Sequence, residues 1–198
     1  MRILPYSPSA EFSEKRLTNS AAPEPTQKAL GLLVSYPLQL RPNIERARTV
    51  RTRLPAEIAA HLASLNVYDA RGIGFVTDFS VYRYVFHPGA SLNLDEIVEG
   101  SAKHLVNLDG VRNPRCAIRT LTVSGLDARR IGFSAERWEQ RFGVEELGIF
   151  YPAGRTLWTV QATYAEKPRV HRLAAFALFM TRRHVSSILG SIRVAAAQ

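Results

Sequence analysis

The sequence predicts an α+β protein built on an antiparallel meander with helices packed on its faces. Three observations carry this. Residues 115–164 hold four strand-like runs, at 116–125, 127–135, 145–151 and 157–164. The links between the first and second runs and between the third and fourth are too short for a crossover helix, so each of those pairs is antiparallel. Helix-spaced apolar stripes stand before and after the block.

Residues 1–28 are rich in Pro, Ser, Glu and Thr. Pro5, Pro8, Pro23 and Pro25 stop helices, and little apolar surface is present to offset ordering. They read as a flexible or extended arm with at most one turn near Phe12–Leu17, leaving 29–198 as a single α+β domain. Residues 29–40 read as a first strand ended by Pro37. Around Thr49–Leu54 the spacing of Arg46, Arg48, Arg51 and Arg53 suggests an extended segment. It is either a solvated edge strand or an anion site.

Pro55 suits the first turn of a helix, and Ile58, Leu62 and Leu65 extend a helical stripe to about Asn66. Residues 71–86 form a β-rich run with a bulge near Asp78; Tyr82, Tyr84 and Phe86 share one face. His87-Pro88-Gly89 ends it. Asn93 caps the next helix, with Glu96 where a capping box needs it. Leu94, Ile97, Ser101, Leu105 and Leu108 make its apolar face, and Asp109-Gly110 stops it.

In the meander, Trp158, Val160, Ala162 and Tyr164 alternate with Leu157, Thr159, Gln161 and Thr163. Residues 124–127 supply one turn. Tyr151-Pro152-Ala153-Gly154 supplies another, with Gly154 expected in the strained position. Residues 136–142 are expected to form a hairpin end, because Trp138 and Phe142 are costly to leave in water. The last helix is expected from Pro168 to Gly190, its inner stripe being Val170, Ala174, Ala177, Thr181, Val185, Ile188 and Ile192. Arg172, Phe176, Phe179 and Arg183 form a second stripe. It is either a partner-docking anchor with a basic rim or a face packed under the chain's own N-terminal arm.

Charge adds to this picture. The net charge is +9 over 198 residues. The excess sits in 41–55, with five arginines and one acid, and from Lys167 onward, where there is no acid at all. No run reaches the length of a membrane span. No apolar leader core follows Met1, so the expected compartment is cytoplasmic; export with the leader missing is the alternative. The single cysteine, Cys116, excludes an intramolecular disulfide and is expected as a buried free thiol.

Catalytic signatures are not legible. No Cys-x-x-Cys, His-Glu-x-x-His or phosphate-loop motif occurs. His61 and His104 are expected on helices covering the sheet, where packing is the plainer role. His171 and His184 lie among arginines, a poor setting for a metal. Glu145 and Glu146 point to opposite faces of a strand and form no shared-proton pair; Glu136 and Glu139 read as solvated. No catalytic, metal or cofactor residue is assigned.

Three segments carry a resemblance: Val123-Ser124-Gly125-Leu126-Asp127-Ala128-Arg129-Arg130 leading into a strand, Thr156-Leu157-Trp158-Thr159-Val160 after a turn, and Ile188-Leu189-Gly190-Ser191-Ile192-Arg193-Val194. With the element order, they resemble the PsbP/Mog-like α+β fold, which includes bacterial proteins of unknown function. The resemblance spans residues 29–194, best from Ser91 onward. It implies an antiparallel sheet with helices on its faces and an accessory protein that binds other macromolecules. It also implies export for many bacterial members. The arginines of 41–53 and the missing leader depart from that pattern.

Three functions follow. The first is a non-catalytic accessory protein docking on a protein partner or on itself through the C-terminal helix. The second is polyanion binding, to nucleic acid or an anionic membrane surface, through 41–53 and 167–193. The third is a small-ligand binder or enzyme with a pocket between sheet and helix.

Overall fold

A computed structural model describes residues 12–17, 30–37, 41–69, 76–90, 92–138, 140–165 and 174–196. The expectations for the rest of the N-terminal arm, for a helix start near Pro168, and for Val170, His171 and Arg172 lie outside the described residues.

The meander forms as expected: β6 (Val111–Val123), β7 (Leu126–Arg137), β8 (Gln140–Tyr151) and β9 (Thr156–Ala165) pair antiparallel in sequence order. β5 (Val76–Val85) pairs with β9, and β4 (Leu62–Asp69) and the short β3 (Arg41–Pro42) follow. The seven-stranded order is β3-β4-β5-β9-β8-β7-β6. The bulge expected near Asp78 is a register shift between Val76 and Asp78. A second sheet holds β1 (Phe12–Leu17), β2 (Leu30–Pro37) and β10 (Arg193–Ala196), in the order β1-β2-β10. Phe12–Leu17 is thus a strand and not a turn; all six of its residues pair with β2, which satisfies backbone groups that composition alone leaves exposed.

Turn chemistry explains the hairpins. Ser124 and Gly125 both have positive φ, 51° and 81°, the type I′ geometry that matches strand twist. In the β8–β9 turn the positive φ belongs to Arg155, at 43°, and not to Gly154. Gly154 is small for another reason: a Cβ there would lie 2.6 Å from the Tyr151 ring. The β7–β8 link is the expected hairpin end, yet Trp138 is 71% exposed. Its indole lies over Gly110, whose added Cβ would come within 2.9 Å of Nε1, and carries the Arg137 guanidinium 4.0 Å from its ring centre. A cation–π contact and one covered edge replace burial.

Helix α3 (Leu94–Val106) starts where the cap predicts. The Asn93 side chain accepts from the Asp95 and Glu96 amides and donates to Glu96 at 3.0 Å. Asn93→Ala is expected to cost about 1 kcal/mol, read as a lower urea midpoint; an unchanged midpoint would mean that water caps this helix equally well. Its buried face is Leu94, Val98, Ala102 and Leu105. Ser101 sits at the rim of that face, where it hydrogen-bonds Glu146.

Two further regions differ from expectation. Residues 44–52 are helical (α1, Ile44–Thr52), not extended. Asn43 accepts from the Arg46 amide and Glu45 stands in the first turn, so local capping and charge favour the helix. Helix then covers only α2 (Ala56–Ala59), and Leu62 and Leu65 belong to β4. Their spacing fits a helix, but Val67 and Tyr68 follow and β5 supplies a partner edge, so tertiary pairing overrides the local pattern.

Two cores flank the large sheet. α3 packs on one face against Ile131, Phe133, Val144 and Leu157. α4 (Ala174–Gly190) packs on the other, with Val185, Ile188 and Leu189 against Leu147, Ile149, Trp158 and Val160. Thr181, Val185, Ile188 and Ile192 are buried as expected. No helix among the described residues is long and apolar enough to cross a membrane.

Candidate functional site

Residues directly opposite in an antiparallel pair share a face, so register builds the site. One row across the sheet reads Phe79, Ala162, Glu145, Gly132, Ala117, and the next reads Val81, Val160, Leu147, Arg130, Arg119. Toward β6 the α4 face therefore changes from apolar to small and basic. Glu145 is 2% exposed. Arg130 donates to its Oε2 from Nε at 3.2 Å and Nη2 at 2.8 Å, and Arg182 of α4 donates to Oε1 at 2.9 Å. Arg130 also donates to Ser186 Oγ at 2.7 Å. Gly132 leaves room for this: a Cβ there would lie 3.2 Å from Arg182 Nη2 and 3.4 Å from Glu145 Oε1.

These groups line a cavity of about 320 Å³ with Ala117, Arg119 and Gly132. Three guanidiniums face one carboxylate there, and both oxygens of that carboxylate are already engaged. Arg119 is exposed and forms no hydrogen bond or ion pair among the described residues. It stands directly opposite Arg130, a like-charge pair that is unfavourable when nothing lies between its members. Tyr164 lies over Gly143, which has no Cβ to obstruct the ring. Burial and then the Glu145 charge push its phenol up to about 12, so it stays a neutral hydroxyl. The arrangement suits binding an oxyanion. It suits proton abstraction poorly, because Glu145 is saturated by guanidinium donors.

The adjacent glutamate meets the opposite environment. Glu146 faces α3, accepts from Gln161 Nε2 at 3.0 Å and is hydrogen-bonded by Ser101. Burial pushes its carboxyl up to about 7, against the pull of those two hydrogen bonds. The stacked rings of Tyr82 and Tyr84 lie near it, and burial raises both phenols.

The residues singled out from sequence are not gathered at this cavity. Arg46, Arg48, Arg51 and Arg53 are all exposed on or just after α1, and Arg46 pairs with Asp78 at 3.2 Å. On a helix they split into two pairs, 46 with 53 and 48 with 51, and do not form one row. Phe176 and Phe179 fall within α4, but their side chains, like Arg172, lie outside the described residues. Arg183 is exposed, one residue from Arg182. Cys116 is exposed on β6, not buried, because β6 is the last strand of the sheet and, among the described residues, nothing pairs beyond it. His61 is on no helix: it precedes β4, with its ring 4.9 Å from Phe86 and 5.5 Å from His87. Among the described residues, no group of three or more His, Cys, Asp or Glu is placed to hold a metal.

Sequence reading missed Arg119, Arg130, Arg182, Ser186 and the role of Glu145. One signal points to them. A central strand is covered on both faces, so the charges in Val144-Glu145-Glu146-Leu147 have to find buried partners.

No family model and no curated protein matches the chain. Solved structures do match. The Ran-binding protein Mog1p of Saccharomyces cerevisiae is 12% identical with a TM-score of 0.53, over 93% of this chain and 96% of that one. Cyanobacterial PsbP from Synechocystis is 11% identical with a TM-score of 0.54, over 89% of this chain and 99% of that one. The fold is therefore PsbP/Mog-like.

Proposed function

We propose that this chain, with its PsbP/Mog-like fold, is a non-catalytic accessory protein that docks on a protein partner along its β6 edge. The observation that carries the reading is β6 itself. It is the outermost strand of the large sheet, and residues 112–120 are exposed on both faces. Strand edges left open are templates for strand addition, and proteins usually blunt them. Here Pro114 and a register shift between Arg112 and Arg115 blunt only the first part. From Arg115 to Val123 the pairing with β7 runs without a shift, and no strand among the described residues pairs on the other side. A Ran-binding protein among the structural neighbours fits a protein-docking role for the fold.

The test uses the single cysteine. A photo-crosslinker is attached at Cys116, and in a control at Glu57→Cys in a Cys116→Ser background. Both are irradiated in host lysate at low and at high salt, with and without nuclease. One other protein captured from Cys116 alone and retained at high salt is the expected result; capture of the chain itself would make the edge a self-association surface instead. Equal capture from both positions would sink the edge reading. Capture lost with nuclease and salt would instead favour a polyanion at the α1 arginines.

A further inference from the structure

We infer that the partner presents an extended segment with a glutamate facing Ala117 and apolar residues on either side of it. This rests on the docking reading and gives it a ligand chemistry.

Alternate residues of β6 face opposite sides of the sheet. Arg115, Ala117 and Arg119 lie on the α4 face, and Cys116 and Ile118 on the α3 face. A strand added beyond β6 continues the row Glu145, Gly132, Ala117 by one residue. The side chain at that position lies about 5 Å beyond Ala117. The small side chain of Ala117 and the bare Gly132 leave it a path into the cavity. There it meets Arg119, which has no partner among the described residues, and the guanidiniums of Arg130 and Arg182. A carboxylate at that point separates Arg119 from Arg130 and adds one negative charge to a site with two uncompensated positive ones. The neighbouring residues of the added strand face Cys116 and Ile118. Ile118 is 42% exposed, so apolar side chains suit those positions.

Charge argues against a second copy as the occupant. Two β6 edges laid together would bring the arginines of both onto the same face, and like charges across strands repel. A nucleic acid offers no peptide groups for the open edge, so it would engage the cavity alone.

The experiment titrates a short labelled peptide of alternating valine and threonine with one central glutamate, and its glutamine and lysine counterparts, by fluorescence anisotropy. Each is run against wild type and Arg119→Gln, with amide exchange over 115–123 followed in parallel. Arg119 is exposed and forms no hydrogen bond or ion pair among the described residues. The expected result is binding about tenfold tighter for the glutamate peptide than for glutamine, with that advantage lost in Arg119→Gln and protection over 115–123. If all three peptides protect 115–123 and bind alike, docking stands and the glutamate inference is overturned. If none protects the edge, the inference is overturned too, and crosslinking at Cys116 judges docking separately. A DNA duplex that binds with the same Arg119 dependence would assign the cavity to polyanions and overturn the peptide occupant.

Discussion

At pH 8 the Glu146→Gln protein will unfold at a higher urea concentration than wild type, and near pH 5 the two midpoints will nearly coincide. The carboxyl of Glu146 is held at about 7 in the folded chain, against an ordinary value of 4.5. The folded state thus binds this proton more tightly than the unfolded state does. The stability linked to it is complete below about 4.5, declines as pH rises through the interval, and is gone above about 7. The gap corresponds to roughly 3 kcal/mol. Glutamine has no proton to lose and keeps an oxygen for Gln161 and Ser101. It should recover most of that amount above pH 7, about 2–3 kcal/mol. Tyr82 and Tyr84 remain neutral over this range and do not alter the sign. Wild-type and variant curves running parallel from pH 5 to 8 would show that Glu146 is hydrated or paired, and would remove the argument.

Truncating the neighbouring residue has the opposite effect. Glu145→Ala removes the acceptor shared by Arg130 and Arg182 and leaves two guanidiniums facing each other over Gly132. Removing one partner of a fully buried pair costs about 3–5 kcal/mol. Here the Arg182 side chain is 54% exposed and water screens it, so about 2–3 kcal/mol is the better figure. For a chain of this size that lowers the thermal midpoint by roughly 5–10 °C. A midpoint unmoved within about 1 °C would mean that water serves both arginines as well as the carboxylate does. Adjacent glutamates on one strand thus carry opposite expectations: replacing Glu146 with glutamine stabilises the chain above pH 7, and removing Glu145 destabilises it.

Why some features are legible in sequence and others are not follows from these same residues. The meander is legible because Trp158, Val160, Ala162 and Tyr164 alternate, and because Ser124-Gly125 permits only a tight turn. Asn93 with Glu96 marks a helix start for the same local reason. Leu62 and Leu65 mislead, since a spacing of three suits a helix and only the partner strand β5 decides otherwise. The α1 arginines mislead in reverse: what makes them helical is the Asn43 cap with Glu45 in the first turn, a signal outside the arginine spacing itself. At the cavity, the opposite facing of Glu145 and Glu146 is legible from the strand period. Their partners are not, because Arg130, Arg182 and Ser186 lie 15 to 56 residues from the atoms they meet. Cys116 depends on strand order: the same residue one strand further in would be buried.

The strand order also bears on how the chain reaches this state. β6 to β9 form by successive hairpins, each closing a short loop, and β4 with β5 forms another local pair. The seam between them is β5 against β9, where Tyr82 meets Thr159 and Val81 meets Val160 across more than seventy residues of chain, α3 included. Closing that seam carries the entropy of a long loop, which local hairpins avoid. The expected order is therefore hairpins first and the zipping of β5 onto β9 last, to be read as low φ-values for substitutions at Val81 and Val160. Until it occurs, β9 is itself an open edge bearing Trp158 and Val160, and the nascent protein is most exposed to aggregation during that interval.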